Sequence, residues 1–175
     1  MNTIKKIELE FSIYCNQLAS NNKIIFYFFR YITFTAEWWM YVSYGLILLL
    51  MDFDEAIDPI KVGIIAYTFH YLIYYLIKNT FKRQRPFNAH ESIKKLVIPP
   101  DKYSLPSGHS SGATITTLII IHFFPISNIE ILFVWPLLIG MSRIMLGVHY
   151  LSDAIVGITL GYLSYYISIM LLNLI

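Results

Sequence analysis

The sequence predicts an all-α fold, a polytopic membrane bundle of about five to six spanning helices with an amphipathic N-terminal segment. Two observations carry this expectation. Of the residues, 57% are hydrophobic and only 14% charged, against about 25% charged in ordinary soluble domains. A soluble domain of this length cannot hide so much apolar surface. Charge placement is the second observation. Residues 103–129 and 154–175 contain no Asp, Glu, Lys or Arg, and a spanning helix needs roughly 17–25 mostly apolar residues.

Taken in order, residues 4–20 carry Lys5, Lys6, Glu8 and Glu10 and read as an interfacial amphipathic helix, broken by Asn21-Asn22. Residues 24–35 are apolar and aromatic but hold Arg30, so they too belong near the headgroups, and 1–35 forms the interfacial part of a single 1–175 domain. Residues 37–51 begin with Trp38 and Trp39, a pair suited to the aromatic belt at a membrane surface. An acidic turn, 52–58, ends that helix, and Pro59 suits the first turn of the next, 60–80. Residues 81–105 are polar and rich in proline, and cannot lie in lipid unprotected. Further spans follow at 106–124, closed by Pro125, at 129–146 and at 149–174. Traced through these spans, residues 78–86, 106–109 and 142–153 fall on one side of the membrane.

Several classes drop out. The formal net charge is +2 and no basic face sits on a soluble scaffold, so nucleic acid is not an expected partner. The single Cys15 forms no intrachain disulfide. Glu8 and Glu10 interrupt the apolar stretch that a cleavable signal peptide requires.

Three elements occupy the three places on that common side. They are Lys78-x6-Arg85-Pro86, then Pro106-Ser107-Gly108-His109, then Ser142-Arg143-x5-His149-x3-Asp153. Pro-Ser-Gly-His alone is a weak signal, but an ordered match of the whole set by chance is negligible. On these residues the sequence resembles the type 2 phosphatidic acid phosphatases, particularly small bacterial phosphatidylglycerophosphatase B-like members. Their superfamily also includes soluble bacterial acid phosphatases and vanadium haloperoxidases. Every fixed position of the tripartite motif is present, in order, between Lys78 and Asp153.

The chemistry fits these residue types. A phosphoryl group in transfer spreads negative charge over three oxygens, so catalysis is mostly charge stabilisation and in-line positioning. Lys78, Arg85 and Arg143 supply cations, the arginines with a planar fork that grips two oxygens. Ser107 and Gly108 sit at a helix start, where free backbone N–H groups face an anion. His149 and Asp153 are expected on one face of the last helix, the carboxylate taking the proton of one ring nitrogen and leaving the other as a nucleophile. The resemblance implies that His149 forms a phosphohistidine, and that His109 protonates the leaving oxygen and then activates water. No metal or other cofactor is expected, because the protein supplies the cations.

The expected function is hydrolysis of a lipid phosphate or pyrophosphate: undecaprenyl pyrophosphate, phosphatidylglycerol phosphate, phosphatidic acid or lipid A phosphate. The alternatives are phosphoryl transfer to an acceptor other than water, and an inactive lipid-handling membrane protein. In the connector 87–105, Lys94 and Lys95 are expected to face anionic headgroups beside the site mouth, with Leu96-Val97-Ile98 dipping into lipid. Lys82 and Arg83 read as ordinary surface charge. His70 and His122 read as packing residues, and so do Tyr67, Tyr71, Tyr74 and Tyr75. Glu37 reads as a helix cap, the alternative being that it faces the catalytic cations. The loops at 51–59 and 125–130 contain no lysine or arginine, whereas the motif side is basic. Taken alone, that puts the motif side in the cytoplasm. The motif cations bias the count, however, and the resemblance implies a bacterial cytoplasmic membrane with an extracytoplasmic active site.

Overall fold

The computed structural model describes residues 3–124 and 128–173, and every regular element among them is helical. Helix α1, Thr3–Asn21, presents Ser12, Cys15, Asn16 and Ala19 at helical spacing, all buried. This stripe of small and polar residues docks on α7 and α2, so α1 is a packed part of the protein as well as an amphipathic one. Asn22 caps α2, Lys23–Phe34, by accepting the Ile24 and Ile25 N–H groups at 2.9 and 3.3 Å. A bend of 55° separates α2 from α3, Trp38–Met51.

Helix α4, Phe53–Phe81, starts earlier than the sequence suggests. Asp52 accepts the Asp54 and Glu55 N–H groups at 3.0 and 3.1 Å, and those two acids sit at the positive end of the helix dipole. The acidic turn is therefore the first turn of α4, and Pro59 lies inside the helix instead of opening it. A short α5, Pro86–Ala89, follows the polar turn. Helix α6, Gly108–Phe123, is the axis of the bundle: every residue from Ser110 to Ile119 is buried. The expected stop at Pro125 lies outside the described residues. A 3-10 turn, Ile129–Phe133, leads into α7, Val134–Met145. The last helix, α8, spans Leu151–Asn173.

Val62 and Ala66 of α4, Ile115, Leu118 and Ile119 of α6, and Tyr165 of α8 make the main apolar core. Outward-facing Leu50, Ile64, Leu72, Leu76, Leu137 and Met170 are exposed, an arrangement suited to lipid. By length and apolarity, Phe53–Ala89 and Leu151–Leu172 are each sufficient to cross a membrane, and the bent α2–α3 pair would make a third span. Helices α6 and α7, of 16 and 12 residues, are shorter than the five-span reading assumed. They are packed among longer neighbours.

Two glycines set the central contact. A Cβ on Gly157 would lie 2.4 Å from the Ser107 carbonyl oxygen, and one on Gly161 would lie 2.5 Å from that of Ser111. Small residues at this spacing let two membrane helices meet backbone to backbone, and here they hold α8 against the start of α6.

Candidate active site

The C-terminal ends of α4 and α7 meet the N-terminal ends of α6 and α8 at one end of the bundle. The last turn of α4 presents Lys78, which is buried. The helix stops at Lys82, whose φ of 46° is left-handed and whose N–H returns to the Lys78 carbonyl at 3.1 Å. The chain then runs extended through Arg85 until Pro86 opens α5. Arg85 is almost wholly buried. Its Nη1 donates to the Val148 carbonyl at 2.8 Å and lies 3.3 Å from His149 Nε2.

The Asp101 carboxylate bridges the first two cations. It accepts from Lys78 Nζ at 2.9 Å, Arg85 Nη2 at 2.7 Å and the Tyr74 hydroxyl at 2.7 Å. Burial pushes this carboxyl up, but Lys78, Tyr74 and Arg85 outweigh burial and hold it below its ordinary value. Tyr74 stands four residues before Lys78 on the same helix face.

Ser107 caps α6 by accepting the Ser110 N–H at 3.3 Å, and its own N–H donates to the Asp153 carbonyl at 3.0 Å. Gly108 has Tyr74 against it: a Cβ there would come within 3.1 Å of the ring. His109 is in the first turn of α6, with Nε2 3.5 Å from Glu37 Oε1. Arg143, in the last turn of α7, donates from Nη1 to Thr33 Oγ1 at 2.9 Å. Gly147 then reverses the chain with φ of +78°, and the Val148 and His149 N–H groups both return to the Arg143 carbonyl, at 3.1 and 3.3 Å.

His149 precedes α8 and is not on its face, contrary to expectation. It meets Asp153 because the carboxylate reaches back over the helix start. Asp153 Oδ2 accepts the Tyr150 N–H at 2.8 Å, the side-chain-to-backbone half of a capping box, and lies 3.6 Å from His149 Nδ1. Burial, and then the charges of Arg85, Arg143, Lys78 and His109, hold the His149 imidazole well below its ordinary value, so the ring is neutral near pH 7. Among the described residues, six buried side-chain polar atoms lack a hydrogen-bond partner, and three of them are His109 Nε2, Arg143 Nε and His149 Nδ1. Buried polar groups are nearly always satisfied, and these three belong to motif residues.

The PAP2 superfamily matches over residues 62–173. The chain belongs to the PAP2 superfamily. A decaprenylphosphoryl-5-phosphoribose phosphatase of Mycobacterium tuberculosis, found in two strains, is 38% identical over 86 residues. That stretch is 49% of this chain and 46% of the relative, so the match spans about half the length of each. Two solved structures share the fold. Aquifex aeolicus LpxE gives a TM-score of 0.75 at 24% identity, covering 89% of this chain and 92% of that one. The transmembrane PAP2 type phosphatidylglycerolphosphate phosphatase from Bacillus subtilis gives 0.78 at 19% identity, covering 100% and 89%.

Several residues around the PAP2 motif were not legible as site residues. Arg83 is not loose surface charge. It donates to Asp153 Oδ1 at 2.7 Å and to Glu8 Oε2 at 2.8 Å. Glu37 occupies the N-cap position of α3 but makes no capping hydrogen bond, and it faces His109 instead. Asp101 and Tyr74 had one available signal each: one of two acids, with Glu91, in a connector tied at both ends to the motif, and the spacing of Tyr74 to Lys78. His70 is buried beside Ser111 Oγ at 3.4 Å, with Nδ1 unpartnered, and His122 pairs with the Tyr165 hydroxyl. Lys94 and Lys95 are exposed, but the apolar triplet divides. Val97 and Leu96 pack inward on Leu146 and Val148, while Ile98 points outward. Apolar partners were available inside the protein, so lipid was not needed to cover them.

Asp101 pairs with Lys78 and Arg85, the cations expected to bind phosphate, and if they do so it must compete with an incoming anion. Asp101→Asn should tighten inhibition by orthovanadate about tenfold, which corresponds to ~1.4 kcal/mol and is within the range of one charged hydrogen bond. Weaker inhibition would mean that Asp101 shapes the two cations and does not compete for them.

Proposed function

We propose that this chain is a membrane lipid phosphatase that hydrolyses a lipid phosphate or pyrophosphate through a phosphohistidine on His149. The observation that supports it best is the gathering of Lys78, Arg85 and Arg143 about a buried, neutral His149 whose Nε2 faces the Arg85 guanidinium. A phosphate held by that guanidinium is next to the lone pair that would attack it.

In this reading Lys78, Arg85, Arg143 and the N-terminal backbone of α6 at Ser107 and Gly108 bind the phosphoryl oxygens. His149 Nε2 forms a bond to phosphorus as the bond to the leaving oxygen breaks, and His109 gives that oxygen a proton. The same His109 then takes a proton from water, whose oxygen attacks phosphorus, and phosphate leaves His149. Asp153 keeps the His149 proton on Nδ1 throughout.

The substrate is a phosphate on a lipid anchor: a polyprenyl pyrophosphate or polyprenyl phosphosugar, phosphatidylglycerol phosphate, phosphatidic acid or lipid A phosphate. The chain resides in a bacterial cytoplasmic membrane with this end of the bundle on the extracytoplasmic face. Purified protein in detergent should release phosphate from members of this panel in excess chelator, and orthovanadate should inhibit it. Vanadate adopts the five-coordinate geometry of the transferring group. Turnover lost in chelator and restored by magnesium would contradict the mechanism, and a silent panel would sink the function.

Lys94 and Lys95 serve the lipid headgroup and not the chemistry. Lys94→Ala with Lys95→Ala should raise the KM for lipid by up to about thirtyfold, since two cations near an anionic surface contribute about 1 kcal/mol each. Turnover of a small soluble phosphate ester should be unchanged. Equal loss on both substrates would place the pair inside the catalytic machinery.

A further inference from the structure

If His149 is the nucleophile and Asp153 orients it, as proposed above, Glu8 and Arg83 still have no part in the reaction. Yet they absorb much of the bonding around Asp153. Asp153 is fully buried on α8, and such a carboxylate needs a charged partner. Arg83 is that partner, and its fork is fully divided. Nη1 donates to Asp153 Oδ1 at 2.7 Å and to Ser152 Oγ at 2.6 Å, while Nη2 donates to Glu8 Oε2 at 2.8 Å. The Arg83 Cζ lies over the Tyr150 ring, 4.1 Å from its centroid. Glu8 in turn accepts the Ser152 N–H at 2.8 Å and the Ser152 hydroxyl. Three segments distant in sequence converge on one carboxylate: α1, the α4–α5 connection and the start of α8.

We propose that Glu8 and Arg83 are positioning residues, in which Glu8 holds one arm of the Arg83 fork so that Arg83 takes a single oxygen of Asp153 and leaves the other for His149. Arginine and carboxylate pair most strongly with both oxygens engaged. Glu8 prevents that arrangement by occupying Nη2. Without Glu8, Nη2 is free to turn onto Asp153, and a two-pronged grip draws Oδ2 away from the His149 ring. The bland alternative is that the Glu8–Arg83 pair only docks α1. Docking alone needs no division of the fork, and it gives Glu8 no reason to cap the same helix start that carries Asp153.

The test uses Glu8→Ala, the near-isosteric Glu8→Gln, Arg83→Ala and the Glu8→Ala/Arg83→Ala double variant, purified in detergent and assayed on p-nitrophenyl phosphate. A misplaced reacting group costs on the order of 10²-fold. Glu8→Ala should therefore lose about 10- to 100-fold in kcat with KM within about twofold of wild type. The double variant should be no worse than the poorer single one, because both act through one carboxylate. Wild-type kcat per folded molecule in Glu8→Ala, or additive losses, would overturn the relay and leave a docking contact. Should Glu8→Ala not fold, Glu8→Gln carries the same expectation, since an amide cannot hold Arg83 by charge. A readout independent of activity separates this idea from the phosphatase reading. In wild-type protein with 15N-labelled histidine, the ring nitrogens of His149 should report a neutral ring with its proton on Nδ1, which faces Asp153 Oδ2 at 3.6 Å, and the Nδ1 resonance should shift in Glu8→Gln. An unmoved resonance would overturn the positioning role, whereas a wild-type protein inert towards every phosphate ester would sink the function without touching it.

Discussion

Replacing His149 with alanine should reduce turnover to the uncatalysed background and abolish any trapped phosphoenzyme. The site offers cations to hold a phosphoryl group, but only a neutral imidazole can accept it covalently. His149 is buried beside Arg85, Arg143 and Lys78, and each of these opposes protonation of the ring. The lone pair on Nε2 is therefore available at neutral pH, and alanine has nothing to put there. Rapid quenching of wild type with labelled substrate should give an acid-labile, base-stable phosphoryl adduct that is missing from the variant. Asp153→Asn should lose about two to four orders of magnitude, not everything. The amide can still accept the Tyr150 N–H, but it pairs poorly with Arg83 and favours the wrong ring tautomer. Near wild-type hydrolysis by purified His149→Ala would sink the covalent mechanism.

Gly157→Ala should damage stability and catalysis together. The added methyl group would stand 2.4 Å from the Ser107 carbonyl oxygen and 3.2 Å from the Ser107 and Ser110 Cβ atoms. The closest of these is backbone at a capped helix start and cannot rotate aside. Alanine gains up to about 1 kcal/mol over glycine in helix propensity, but overpacking of this kind costs about 1–3 kcal/mol. The helices must also separate where Ser107 contacts α8 through its N–H to the Asp153 carbonyl. Displacing the α6 start relative to His149 should lower turnover by about 10²-fold. Thermal unfolding and activity of one detergent sample would show both effects. Gly45→Ala is the control, because a Cβ there meets nothing within 4 Å. Wild-type melting and turnover in Gly157→Ala would show that α6 and α8 are less tightly apposed than described.

The family motif was readable in the sequence because its spacing is local: each element is a short run with fixed residue types. The helical class was readable from the uncharged stretches. What escaped was the identity of partners across the fold. Arg83 looked like surface charge because nothing near it in sequence reveals that Glu8 and Asp153 will flank it. Asp101 is the same kind of case, a connector residue whose role arises only when Lys78 and Arg85 close on it. Local chemistry also misled in places. Pro59 suggested a helix start, but Asp52 is the better cap and begins α4 earlier. The spacing of His149 and Asp153 suggested one helix face, yet the contact comes from a carboxylate folding back over the turn before α8. Leu96 and Val97 were apolar enough for lipid, and equally suited to Leu146 and Val148.

The Asp101 bridge changes what arrival of a substrate means. Lys78 and Arg85 are both paired with Asp101, so on the proposed mechanism a phosphate would enter by ion exchange within the protein. The displaced carboxylate cannot diffuse away, because its segment is moored on both sides. Asn16 holds Lys94 through its N–H at 2.7 Å and its carbonyl at 3.0 Å, and Ser104 is tied to the Arg83 carbonyl through its N–H at 2.9 Å. Departure of a product would thus leave a tethered anion ready to return, at an effective concentration on the order of millimolar. A resident competitor of this kind discriminates by charge: a dianionic phosphate can replace a single carboxylate on two cations, whereas a monoanionic diester headgroup gains little by the exchange. On the proposed function, this exchange would keep the phosphodiester lipids of a surrounding membrane off the site.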